Sequence, residues 1–157
     1  MELTSASKLT TTDKITGGLA ATYRIRMFGN AGHSRFCTDS SSYIPIPDTT
    51  CAGILLPSPS TGAQRYYRIE VLFAATNECQ IWLRSHDPSN EVSAWEVKFS
   101  GGQSNPNTWW NWRTTQRFAP ESPNIPWQRQ MQLEMKTECS DGAKLDGVWL
   151  IAEDIVE

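Results

Sequence analysis

The stretch Asn107-Thr108-Trp109-Trp110-Asn111-Trp112-Arg113 holds three of the chain's seven tryptophans within four residues. Its flanks read as loop, with Gly101, Gly102, Ser104, Asn105 and Pro106 before it and Pro120, Ser122 and Pro123 after it. A Trp buries about 150–250 Å² and its indole N–H needs a partner, so a loop carries three only if packing or a ligand covers them. One or two such rings can plug the end of a sandwich. The alternative chemistry is a platform: an indole face covers the C–H face of a sugar ring, while neighbouring amide, guanidinium, carboxylate and ammonium groups bond the hydroxyls. Asn111, Arg113, Asp141 and Lys144 supply those polar types. Our reading takes at least one of Trp109, Trp110 and Trp112 to face outward.

The elements that must position this stretch are strands. Tyr23, Ile25 and Met27 alternate with Thr22, Arg24 and Arg26, the period of a half-buried strand whose outer arginines are solvated. Tyr67, Ile69, Val71 and Phe73 point one way, and Tyr66, Arg68, Glu70 and Leu72 the other. Cys79, Ile81 and Leu83 share a face opposite Gln80, Trp82 and Arg84. Trp95, Val97 and Phe99 are in phase, as are Met131, Leu133 and Met135. Lys144 to Ala152 reads as a last strand. Trp95 and Trp149, lying inside strands, are assigned to the core, Trp82 to an outer position covered by a neighbouring strand or loop, and Trp127 to a cap, with a place in the site as its alternative. With no convincing helical period, six to nine strands give an all-β fold, a β-sandwich, over a single domain, residues 1–157.

Between Ser34 and Ser60 the prolines Pro45, Pro47, Pro57 and Pro59 confine the chain to loops and short edge strands. Cys37 and Cys51 bracket this segment. A bridge between them would close a loop of about 15 residues and contribute about 3 kcal/mol. The same alternation that sends Cys79 inward sends Thr137 and Cys139 inward, so antiparallel neighbouring strands would bring Cys79 and Cys139 together. Two disulfides or four free thiols remain open. The cysteines have no metal-ligand spacing, so a zinc site is not expected.

Charged residues make up 20% and the net charge is −3, which offers nothing to nucleic acid or an anionic membrane surface. No apolar run approaches the length of a helical membrane span. The N-terminus lacks the basic and apolar regions of a signal peptide, so an extracellular or surface location requires either a leader removed earlier or another route, such as membership of a virus particle. His33 and His86 lie in separate segments and no nucleophile elbow is present; a pair of carboxylates meeting across a cleft, as in glycoside hydrolases, is the one enzymatic alternative.

From Tyr66 onward the order of features resembles the carbohydrate-binding modules of families 6 and 35 and their malectin-like relatives. The pieces are Ile81-Trp82-Leu83-Arg84, Asp87-Pro88, a strand from Val97 to the pair Gly101-Gly102, the W-x-W of Trp110-Asn111-Trp112, and the closing Asp141-Gly142-Ala143-Lys144-Leu145-Asp146-Gly147-Val148-Trp149-Leu150. The resemblance implies a galactose-binding-type jelly roll and non-catalytic binding of a polysaccharide or glycan. The site it implies is lined by Trp110, Trp112, Asp141 and Lys144, with Tyr43 as second aromatic by position. Relatives often hold a structural calcium between the first and closing strands. Asp146 fits one ligand, and Glu2 is the only acid offered for the other, without the usual Glu-x-Glu opening. Exposed aromatics serve protein interfaces equally well, so the rival expectation is an assembly subunit: a virion decoration, fibre or surface protein packing as a homo-oligomer or in a larger assembly.

Overall fold

The structure, a computed structural model, describes residues 2–7, 18–29, 35–47, 49, 56–75, 79–89, 91–100, 111–118, 132–139 and 142–156. Among them are ten strands: β1 (Glu2–Ser7), β2 (Gly18–Phe28), β3 (Phe36–Thr38), β4 (Ile44–Pro45), β5 (Ala63–Ala74), β6 (Gln80–Asp87), β7 (Val92–Ser100), β8 (Asn111–Thr114), β9 (Gln132–Glu138) and β10 (Ala143–Val156). They form two antiparallel sheets. The larger has the order β1-β2-β10-β5-β8, with β3 also paired to β10; the smaller runs β4-β9-β6-β7. The fold is the expected all-β sandwich.

Alternation explains which side of each sheet is covered. Ile25 and Met27 of β2, with Ile69, Val71 and Phe73 of β5, face Ile81 and Leu83 of β6 and Leu133 and Met135 of β9, all at most 2% exposed. Phe73 meets Phe99 across the gap with ring centroids 6.3 Å apart, an aromatic pair that joins the sheets near the ends of β5 and β7. Trp95 is buried in this core as expected. The outward residues of the same strands are mostly polar, with Leu72 and Trp82 as exceptions.

Strand β10 is the spine, paired to β2 along one side and β5 along the other. Its ladder is interrupted against β5 between Leu145 and Gly147 and against β2 between Val148 and Trp149. A bulge shifts the side-chain phase by one residue. Leu145 is therefore inward, but so are Val148, Leu150 and Ala152, and Trp149 goes outward. This corrects the core assignment of Trp149: simple counting from Leu145 misses the extra residue.

Two further expectations are revised here. Asn111–Thr114, read as loop, is a strand, pairing Asn111 with Phe73 and Trp112 with Leu72. The Gly, Asn and Pro around it hid an edge strand whose partner lies forty residues earlier in the chain. Cys37 is a free, exposed thiol, so the Cys37 to Cys51 bridge is not formed; β3 is held instead by backbone pairing of Phe36, Cys37 and Thr38 to Leu145, Lys144 and Ala143. Cys51 and Trp127 lie outside the described residues.

Cys79 and Cys139 do form a disulfide, with Cα atoms 4.7 Å apart. Gln80 pairs with Glu138 in the β6–β9 ladder, so the next residue outward on each strand brings the two cysteines face to face. Gly142, at φ 70°, turns the chain from this corner into β10, and its carbonyl oxygen lies 3.8 Å from the Cys79 sulfur and 3.3 Å from that of Cys139. A side chain there would meet the Thr38 carbonyl at 2.4 Å, so glycine is required by space as well as by φ. The disulfide is compatible with an oxidising, extracellular setting.

Candidate functional site

The outer face of the larger sheet carries the site. Its cross-strand rows follow from register: Gly147, Leu72 and Trp112 stand in one, and Arg26, Trp149, Glu70 and Thr114 in the next. Arg24, Ile151 and Arg68 form a third. Period-2 alternation puts each of these rows on the side away from the core.

Trp112, at 48% exposure, is the most exposed large apolar side chain among the described residues. It is nonetheless fixed. Its ring stacks on that of Trp149 with centroids 4.8 Å apart and planes 26° from parallel, and its Nε1–H donates to Glu70 Oε1 at 3.0 Å. The Arg24 guanidinium lies 4.6 Å from the Trp149 ring centroid and 5.4 Å from that of Trp112. One ring, one carboxylate and one guanidinium thus hold the indole in one orientation, which removes the rotamer cost that a loose aromatic would meet on binding.

Glu70 is the hub. Arg24 Nη1 donates to Oε1 at 2.9 Å, and Arg68 Nη1 donates to Oε2. Arg68 continues outward, donating from Nη1 to Thr114 Oγ1 at 3.0 Å and from Nε to Glu153 at 3.1 Å, where Arg117 joins at 3.2 Å. Burial pushes the Glu70 carboxyl up, but hydrogen bonds from Arg24 and Arg68 and their charges outweigh it and hold the group below its ordinary value of 4.5. It therefore stays ionised around neutral pH. The expected solvated role of Arg24 is corrected: it is bonded to Glu70 and packed on both indoles.

Gly147 makes the stack geometrically feasible. A Cβ at this position would lie 2.4 Å from Trp149 Cη2 and 2.8 Å from Cζ3, so the Trp149 ring lies directly over the glycine and reaches toward Trp112 in Gly147's own row. Gly147→Ala is expected to drive the ring off this seat, because the ring tip yields more readily than the backbone. The cost is about 1 kcal/mol in stability, and the near-ultraviolet circular dichroism band of the stacked pair should collapse. An unchanged band would show that the ring does not depend on the glycine.

The residues expected at one site are divided by the fold. Trp112 is at its centre, and Lys144 points outward on the same sheet, paired in backbone register with Ala74 and Cys37. Tyr43 does not join them. It precedes β4 and packs on Arg84, with its ring centroid 3.9 Å from the guanidinium carbon, on the outer face of the smaller sheet, so its expected role as second aromatic of the Trp112 site is corrected. Trp82 is on that second face too, half-buried, with the ammonium groups of Lys98 and Lys136 beside its ring in place of the strand or loop expected to cover it. Trp109, Trp110 and Asp141 lie outside the described residues.

Asp146 and Glu2 were the expected calcium ligands. The cation observed beside Asp146 is Arg35, with Nε 3.7 Å from Oδ1. Glu2 heads β1, in register with Arg26, and its side chain lies outside the described residues. Among the described residues no three His, Cys, Asp or Glu side chains gather as metal ligands, and Asp146 beside a guanidinium falls far short of the six to eight oxygens that calcium takes.

What sequence reasoning missed is that Trp149, Glu70, Arg24 and Arg68 belong to the site. The available signal was local: an aromatic two residues beyond a glycine on the same strand face, as in Gly147-Val148-Trp149, can lie down over the missing side chain. The arrangement offers an indole platform ringed by charge-fixed donors and one carboxylate. Comparison with protein-family models, with characterised proteins and with solved structures finds no match to this chain.

Proposed function

We propose that the protein is a non-catalytic carbohydrate-binding domain, whose saccharide lies on the outer face of the larger sheet against Trp112. The observation that carries this reading is an indole 48% exposed yet pinned by Glu70, Trp149 and Arg24. A side chain of this size left open to water, and stiffened at the same time, fits the flat C–H face of a pyranose. Thr114 and Lys144 are on hand for its hydroxyls, whereas Arg113, in register with core-facing Val71, points to the other side of the sheet. Trp110 and Asp141 are assigned to the same site by sequence, as is an extracellular or surface-exposed location.

The charge state of the face speaks against hydrolysis. A general acid needs its pKa raised toward the working pH, whereas Glu70 is held below the ordinary range by two arginines, and Glu153 is likewise bonded to Arg68 and Arg117. Both carboxylates are occupied in organising the platform.

Affinity electrophoresis against neutral polysaccharides, with wild type and Trp112→Ala side by side, tests the proposal. Wild type should be retarded by at least one polysaccharide, and Trp112→Ala should bind it about thirtyfold more weakly, the loss expected of a central aromatic anchor worth about 2 kcal/mol. Stability should fall by about 1 kcal/mol, the worth of one stack and one hydrogen bond. If Trp112→Ala instead changes the mass in dilute solution and leaves every retardation intact, the indole serves an interface between protein copies.

A further inference from the structure

The outer face of the smaller sheet takes no part in the Trp112 site, and it carries an ordered row of its own. Trp82 of β6 stands directly opposite Lys136 of β9 on one side and Lys98 of β7 on the other. Tyr43 extends the row, since Ile44 pairs with Met135 and the residue before it falls in line with Lys136.

Rings and cations alternate along this line. The Arg84 guanidinium is 3.9 Å from the Tyr43 ring centroid, and Lys136 Nζ is 5.0 Å from Tyr43 and 4.8 Å from Trp82. Lys98 Nζ lies 5.2 Å from Trp82. Cation–π contacts of this kind restrain long lysine side chains that would otherwise be free, so the ammonium groups are placed before any ligand arrives.

Their charges are not all spoken for. Arg84 is paired with Glu134 at 2.7 Å, whereas neither Lys98 nor Lys136 has an ion-pair partner among the described residues. Their strands are two spacings apart, so the lysines stand about 10 Å from each other with the indole between. Glu96 and Glu138 border the row on exposed positions, and the whole chain carries −3.

We propose that this face is a second binding site, which takes a carboxylate-bearing polysaccharide, a chain of uronic acid residues. Lys98 and Lys136 pair with carboxylates on successive parts of the chain, and Trp82 covers the apolar side of the ring held between them. Charge-assisted ammonium–carboxylate bonds supply affinity and position. The bordering glutamates and the negative net charge select against densely sulfated or phosphorylated polymers, whose charge would extend over those acids. The inference is independent of the Trp112 reading, because it uses different residues on the opposite side of the sandwich.

Affinity electrophoresis of the full chain tests it, in gels containing polygalacturonate, the same polymer fully methyl-esterified, or dextran sulfate. Retardation is expected in polygalacturonate and not in the ester. The Lys98→Gln/Lys136→Gln variant should bind at least about tenfold more weakly, Trp82→Ala should also be weakened, and Trp112→Ala should be retained like wild type. The esterified polymer provides a control that needs no variant at all. No retardation of wild type in polygalacturonate, equal retardation in its ester, or stronger retardation in dextran sulfate would overturn the proposal. Full retention of the lysine variant, or loss in Trp112→Ala equal to that in the lysine variant, would overturn it as well.

Discussion

Removing the Cys79–Cys139 bond, by the double substitution Cys79→Ala/Cys139→Ala, is expected to lower the unfolding free energy by about 4 kcal/mol. The bond spans 60 residues of sequence, and chain-entropy reasoning makes a tie of that length worth more than a local one, because it withdraws more conformations from the unfolded chain. The native corner suffers little by comparison: Cys79 is fully buried, and alanine leaves only a small void beside the Gly142 carbonyl. In a chain of this size the melting temperature should fall by about 10 °C. Reduction under native conditions should give a similar shift. A loss below 1 kcal/mol in denaturant titration would mean that backbone pairing of β6 with β9 already restrains the corner without the bridge.

The second large effect centres on Glu70. Glu70→Ala leaves the Arg24 and Arg68 guanidiniums and the Trp112 indole N–H without their shared acceptor. Breaking a largely buried charge cluster from one side costs about 3 kcal/mol, more than the cluster's net worth, because the remaining charges stay desolvated. Glu70→Gln keeps the shape and one acceptor, so it should cost less than half as much. The pH dependence has a definite sign. The folded pKa lies below 4.5, so the stabilisation is fully present above that value and is lost as pH falls through the lower, folded one. Trp112 emission should therefore hold steady from neutrality down past pH 4.5 and change only below it. A transition near neutral pH would point to another group, and an unchanged emission in Glu70→Ala would remove Glu70 from the platform.

Strands with an apolar period were legible from the chain alone, because burial on one face leaves a two-residue rhythm that turns cannot imitate. That rhythm placed Ile25, Val71 and Leu133 inside, and it brought Cys79 to Cys139 once β6 and β9 were taken as neighbours. The site was legible only in its centre. Trp112 was singled out by composition, but its strand β8 is recognisable only through the partner Leu72, and pairing across forty residues leaves no local mark. Trp149 was put on the wrong side because a bulge at Gly147 changes the phase without altering the residue types. Arg24, Arg68 and Glu70 were correctly placed outward, yet alternation gives the face of a residue and not its neighbour on the next strand. Tyr43 and Trp112 went to opposite faces for the same reason: which sheet an edge strand joins is a property of topology.

These residues describe a sandwich with an aromatic platform on each outer face, and the central claim concerns the one built on Trp112. The most direct measurement is the indole Nε1–H region of a ¹H–¹⁵N spectrum, with the Trp112 signal assigned by its absence in Trp112→Phe, during titration with neutral xylo-, manno-, gluco- and galacto-oligosaccharides. The account predicts that at least one of these sugars moves the Trp112 signal, with Trp149 following through the stack and buried Trp95 unmoved. Titrations in which none of the sugars moves Trp112, or in which Trp82 alone responds, would contradict it.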